Sequence, residues 1–261
     1  MKKRFLVSGG TRGIGRAIVD EALSRGNYVS TFSSREKSVN SLRKDFSREL
    51  EMGYLLVDHS HVNDYEKVSS IVERQKEKQG GIDVCVINAG IGYYSLAHNA
   101  CLSKVEEMFR VNTFGAMNVV KQTIPVMKSQ QSGVVLYIDS APSKDSNPFT
   151  SFYAASKEAT RIFLEGVKQE VIPYNIKIIN LNIGMTDTSF LTTPGTLPNE
   201  LQTFTKLCER GLQTKEIADM VLNLTVSDSD IYCSTLTMQP FGLLKDLISH
   251  RNKGLEGIYK K

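Results

Sequence analysis

The sequence predicts an α/β protein: one domain over residues 1–261, built on a doubly wound and mostly parallel sheet. Three observations predict it. Short apolar runs of strand length alternate with longer stretches of helical period along nearly the whole chain. The first of these runs passes straight through a glycine-rich turn into a helical pattern. No linker-like, repeated or low-complexity segment interrupts the alternation. With 41% hydrophobic and 23% charged residues, a chain of 261 residues can bury a substantial core.

The elements follow in order. Arg4 to Val7 reads as a strand, and Ile14, Ala17, Ile18, Ala22 and Leu23 share one face of the helix after it. Gly26 stops that helix before a second strand from Asn27 to Phe32. A charged helix from about Glu36 to Leu50 leads to a third strand, Tyr54 to Asp58, and then to a polar helix, Val62 to Lys78. Gly80-Gly81 turns the chain into Val84–Ile87, an apolar run typical of a strand covered on both faces. Lys104 to Met127 is a long helical pattern with Pro125 near its end, and Val134 to Ile138 a fifth strand. Ser151 to Val171 is helical and Ile176 to Leu181 a strand. Helical stretches are expected near Glu200–Arg210 and Thr214–Thr225, and a last strand within Tyr232–Met238.

Charge and cysteine usage exclude several classes. The net charge of +4 comes from 32 basic and 28 acidic side chains spread throughout, too balanced to argue for nucleic acid. Cys85, Cys101, Cys208 and Cys233 form no C-x-x-C pair and read as free thiols of a reducing compartment. His59 and His61 lack a supporting ligand cluster, so no metal site is expected. Only Phe5-Leu6-Val7 is continuously apolar after the basic start, and no run of 18 apolar residues occurs. A cytoplasmic protein without membrane partners is the expectation.

The chemistry concentrates at one predicted sheet edge. Gly9, Gly13 and Gly15 have the spacing G-x-x-x-G-x-G, where a strand turns into a helix whose N-terminal amides can face a phosphate. Tyr153 and Lys157 lie four apart on a predicted helix and share a face, where an ammonium favours the phenolate. Taken alone, that pair reads better as an aromatic with its stem-packed lysine on a surface helix. Ser140, thirteen residues before Tyr153, lies just past the fifth strand. Asn88-Ala89-Gly90 closes the fourth, and Asn112 sits inside the long helix, where asparagine is a poor helix former.

With these motifs in order, the chain resembles the short-chain dehydrogenase/reductase family over almost its full length, and its glycine turn resembles that of ketoacyl-reductase-type carbonyl reductases. The resemblance implies a Rossmann-type fold and the following roles. Tyr153 is the general acid in carbonyl reduction and the base in reverse. Ser140 steadies the charge developing on the substrate oxygen. Lys157 lowers the tyrosine pKa and binds the nicotinamide ribose, and Asn112 holds a water that links Lys157 to solvent. Cofactor contacts come from the turn (Gly9, Thr11, Arg12, Gly13, Ile14 and Gly15), from Asp58 near the adenine, and from Asn88, Ala89 and Gly90. Gly184 and Thr186, with Thr188, lie near the nicotinamide amide.

The chain also departs from the family pattern. Ile183-Gly184 stands where Pro-Gly is common, Pro142 follows soon after Ser140, and Met238-Gln239-Pro240-Phe241-Gly242 replaces a glycine pair. Residues 185–212 resemble a substrate lid, and its apolar residues, with Tyr93, Tyr94, Phe149 and Phe152, suit an apolar or aromatic carbonyl substrate or simply anchor the lid.

The end of the second strand, Thr31-Phe32-Ser33-Ser34-Arg35, has no acidic residue for a ribose 2′-hydroxyl. Arg12, Arg35 and Ser34 instead suit a 2′-phosphate, so NADP(H) is the expected cofactor, with Glu36 the rival if its loop turns inward. The helices at Lys104–Met127 and Ser151–Val171 correspond to those that pair across a two-fold axis in the family, so a homodimer or homotetramer is expected. Beside carbonyl reduction stand two alternatives, an NAD-linked alcohol dehydrogenase and a non-catalytic dinucleotide sensor. The second has no use for Ser140, Tyr153, Lys157 and Asn112.

Overall fold

The computed structural model describes residues 2–140, 148–191, 209–226, 232–243 and 245. The predicted helix at Glu200–Arg210, Pro142, Cys208 and the basic residues after Ser249 fall wholly or largely outside them.

Seven strands form one parallel sheet in the order β3-β2-β1-β4-β5-β6-β7. They are β1 (Arg4–Ser8), β2 (Tyr28–Ser33), β3 (Leu55–His59), β4 (Val84–Ile87), β5 (Gly133–Ser140), β6 (Ile176–Ile183) and β7 (Thr235–Met238). The helices are α1 (Gly13–Ser24), α2 (Glu36–Asp45), α3 (Ser47–Glu51), α4 (Tyr65–Gln79), α5 (Leu102–Phe109), α6 (Ala116–Gln130), α7 (Ser151–Val171) and α8 (Thr214–Val226).

The continuous apolar strands follow from burial on both faces. Phe5 and Val7 pack with Ile18, Val39 and Val221 of α1, α2 and α8, while Leu6 between them packs with Val68, Val119 and Leu164 of α4, α6 and α7. Val84 and Val86 face the first layer, Cys85 and Ile87 the second. Crossovers leave β1 toward β2 on one side and, after β3, resume at β4 on the other. The strand order therefore reverses between β1 and β4, and a crevice opens at their carboxyl ends.

The helix ends have local causes. The Asp64 side chain caps α4 by accepting the Lys67 N–H at 3.1 Å, and Gly80 ends it with φ +83°. Gly26, at φ +75°, closes α1 as the sequence suggests. Two expected helices are interrupted. The run from Glu36 breaks at Phe46 (φ −123°, ψ 41°), whose ring packs on the core and carries the Arg16 guanidinium 5.1 Å from its centroid. The long run from Lys104 contains a π turn at Arg110–Gly115, centred on Asn112. Pro125 lies in the second half of α6, and the last strand is shorter than expected.

Candidate active site

A cleft of about 370 Å³ opens along the carboxyl ends of the strands. Gly9, Arg12, Gly13, Ile14, Ser34 and Arg35 line one end; Ser140, Tyr153, Lys157, Gly184 and Thr186 line the other, with Asn88, Ala89, Gly90 and Asn112 between. Thr11, Gly15 and Asp58 are not among the lining residues.

The glycine turn is held by contacts that a side chain would break. Gly9 and Gly13 have φ of +72° and +54°. A Cβ on Gly15 would stand 2.4 Å from Asn88 Nδ2 and from the Gly9 carbonyl, so this glycine serves packing between helix and turn. Gly10, outside the recognised spacing, is as constrained: its Cβ would meet Thr31 Oγ1 at 2.2 Å, and its N–H donates to that oxygen at 3.1 Å. Ser8 ties β1 to β4, because its hydroxyl accepts the N–H groups of Asn88 (3.0 Å) and Ala89 (3.1 Å). Asn88 returns the contact by donating Nδ2 to the carbonyls of Ser8 and Gly9, at 3.0 and 3.1 Å. Ser8, Gly10 and Thr31 were legible only as parts of a turn and a strand, since their partners are distant in sequence.

At the β2 end, burial and then the neighbouring Arg35 guanidinium lower the Arg12 pKa. Among the described residues neither arginine side chain has a carboxylate partner. Glu36 is exposed in the first turn of α2 and does not line the cleft. The Asp58 carboxylate pairs with Arg74 behind the cleft wall, which Ser60, His61 and Val62 line beside it. Burial raises the Asp58 pKa despite Arg74 and Arg43. Two guanidiniums with no carboxylate partner among the described residues thus stand beside a turn of left-handed glycines, a setting whose charge complements phosphate groups.

At the other end, Tyr153 is 7% exposed, its ring 5.3 Å from that of Tyr94 and 6.0 Å from that of Phe190. Burial pushes its phenol up to about 12, against a hydrogen bond with Ser140 that lowers it, and Asp139 adds to the rise. Burial thus outweighs the cationic lowering expected from sequence. Lys157, one turn further along α7, donates Nζ to the Ile138 carbonyl at 2.7 Å and lies 4.5 Å from the Tyr137 ring centroid. Burial pulls this ammonium down to about 8, and Asp139 opposes that.

Asn112 explains the π turn. Its Oδ1 accepts the Ile91 N–H at 2.8 Å, while Nδ2 donates to the Ile91 carbonyl (2.9 Å) and Ser156 Oγ (3.0 Å). Its own carbonyl accepts the Thr160 hydroxyl at 2.9 Å. The asparagine therefore clamps the loop after β4 to α7. Gly184 has a packing reason too, since a Cβ there would lie 2.2 Å from Gln239 Oε1. Its carbonyl accepts the Thr186 hydroxyl at 3.0 Å.

The short chain dehydrogenase family matches residues 3–195, and the chain belongs to that family. Among its relatives, a 3alpha-hydroxysteroid dehydrogenase of Mediterraneibacter gnavus is 27% identical over 72% of this chain and 76% of its own length. Dehydrogenase/reductase SDR family member 7B of Xenopus tropicalis is 28% identical over 70% of this chain and 61% of its own. In fold, an alcohol dehydrogenase from the archaeon Thermococcus sibiricus, complexed with 5-hydroxy-NADP, superposes with a TM-score of 0.78. It covers 92% of this chain and 97% of its own at 24% identity, a likeness of fold alone. The protein is thus an oxidoreductase on a Rossmann-like sheet, of a family that uses nicotinamide dinucleotides. Among the described residues no helix is long and apolar enough to cross a membrane.

Proposed function

We propose that this oxidoreductase reduces an apolar carbonyl compound to a secondary alcohol at the expense of NADPH. The observation that carries the reading is the meeting of Ser140, Tyr153 and Lys157 in one cleft with the glycine turn. A bound nicotinamide supplies the hydride. Tyr153 delivers a proton to the carbonyl oxygen, and its phenol, held protonated at neutral pH, suits an acid better than a base. Ser140, already hydrogen-bonded to that phenol, donates to the same oxygen as charge develops. Lys157 contacts the ribose hydroxyls and favours the phenolate that remains. Asn112 holds the loop after β4 in register with α7, and a water near it returns the proton.

Cofactor choice rests on Arg12, Arg35 and Ser34 at the end of β2. Their charge complements a 2′-phosphate, and no acidic side chain lines that end. Gly13, Ile14, Asn88, Ala89, Gly90, Gly184 and Thr186 line the rest of the cofactor groove. Thr11, Gly15 and Asp58 act from behind it. The substrate end is walled by Tyr94, Phe190 and Leu191 with Ile91, without a charged residue among these four. The hydroxysteroid relative and this apolar wall both support a neutral, largely apolar ketone. Residues 185–212 act as its lid within a single 1–261 domain, although 192–208 lie outside the described residues. The protein works in the cytoplasm as a homodimer or larger homo-oligomer.

The test is oxidation of NADPH, followed by absorbance, against a panel of alicyclic and aromatic ketones. At least one should be turned over, with NADPH preferred to NADH and Arg35→Ala raising KM for NADPH most. Equal kcat/KM for the two cofactors would sink the NADPH assignment.

A further inference from the structure

The sheet face beneath α7 carries a carboxylate to which the roles above give no task. Asp139 lies in β5 between Ile138, whose carbonyl accepts Lys157, and Ser140, and it is 1% exposed. Its Oδ1 accepts the Ser140 backbone N–H at 2.8 Å, and its Oδ2 accepts Asn180 Nδ2 from β6 at 3.2 Å. Asn182 stands opposite it in the strand register.

Among the described residues, the titratable groups that sense Asp139 include Tyr153, Lys157 and Arg161 of α7 and Tyr137 of its own strand. Asn180 and Asn182 of β6 and Asn112 of the π turn do not ionise. Arg161 is engaged by both carboxylate oxygens of Glu158, one of them 2.8 Å from its Nε. Lys157, 7% exposed, is the buried cation of this group.

We propose that Asp139 is a positioning residue, whose buried carboxylate keeps Lys157 cationic in the cleft and, through the Ser140 amide, sets the serine hydroxyl against Tyr153. It rests on the roles proposed above for Lys157 and Ser140. Burial pulls Lys157 down and Asp139 pushes it back up, so removing the carboxylate moves the lysine titration further toward neutral pH. Asp139 also raises the Tyr153 phenol. The pH profile of turnover therefore mixes two opposed effects, and the titration of Lys157 itself is the direct readout.

The experiment is an NMR titration of the whole protein carrying ¹³Cε-lysine, with Lys157 assigned by loss of its signal in Lys157→Met. Asp139→Asn keeps an oxygen for the Ser140 N–H. Asn180, whose Oδ1 has no partner among the described residues, can turn its amide to accept from the new Nδ2. In this variant the Lys157 midpoint should fall by about one pH unit, the effect of losing one nearby opposite charge. At pH 8 the cationic fraction of Lys157 should fall from about one half to about one tenth, so kcat should drop roughly fivefold. Asp139→Ser removes the same charge and makes the same prediction should the asparagine variant not fold. A folded variant with an unmoved Lys157 titration overturns the proposal, even if its Tm is lower, because a purely structural carboxylate would act on Tm alone. Failure of the catalytic reading shows separately, as turnover that survives Tyr153→Phe.

Discussion

Tyr153 and Lys157 carry opposite burdens of burial, and each makes a measurable prediction. Tyr153→Phe keeps the ring between Tyr94 and Phe190 but removes the proposed proton donor, so kcat should fall by about 10²–10⁴-fold. NADPH affinity should change little, which a binding titration checks. A variant within a factor of a few of wild type would make Tyr153 a packed aromatic only. Lys157 bears on stability. Its pKa falls from an ordinary 10.5 to about 8 on folding, so below pH 8 the folded state carries a buried charge at a cost on the order of 3 kcal/mol. Between pH 8 and 10.5 the unfolded chain binds more protons than the folded one, and stability attributable to this group rises with pH. Lys157→Met removes the cost and leaves the Ile138 carbonyl unpartnered, which takes back about 1 kcal/mol. Thermal unfolding should show the variant more stable at pH 7, by about 2 kcal/mol, with the advantage shrinking as pH rises through 8. A variant equally destabilised at both pH values would contradict this.

At the scale of elements, the junction between β1 and α1 depends on how closely it approaches β2. Gly10→Ala would place a methyl 2.2 Å from Thr31 Oγ1 and 2.8 Å from Val19 Cγ2, and overpacking of this kind costs about 1–3 kcal/mol. Thr31→Ala removes the nearer atom, so the double variant should recover part of the loss. A double-mutant cycle from denaturant unfolding measures the coupling; simple additivity would mean that the turn shifts instead. At the π turn, by contrast, the element yields to a side chain. Asn112 satisfies both backbone groups of Ile91, and the helix accommodates this with a wider turn between α5 and α6.

For the molecule as a whole, Leu102 of α5, Phe114 of the π turn and Ile162 of α7 are large apolar side chains at 67%, 50% and 56% exposure. The proposed homo-oligomer would bury such side chains at its interface. Light scattering at micromolar concentration should therefore report a multiple of 29.1 kDa, and Phe114→Glu with Ile162→Glu should shift it to the single chain. A monomer before any substitution would reject the homo-oligomer.

Much of this protein could be read from order and period alone. The strands, the glycine turn and the spacing of Ser140, Tyr153 and Lys157 are local patterns, because backbone period and short motifs are written in neighbouring residues. Helix breaks at Phe46 and Asn112 were not legible, since each answers to a partner beyond its own helix: the core, and Ile91. The same holds for Asp58, drawn to Arg74, and for Gly10, set against Thr31. Tertiary structure also decided the electrostatics. Sequence places an ammonium one turn from a phenol, but burial determines which way each of them titrates, with Asp139 opposing it at Lys157 and adding to it at Tyr153, because desolvation depends on what surrounds a group in space.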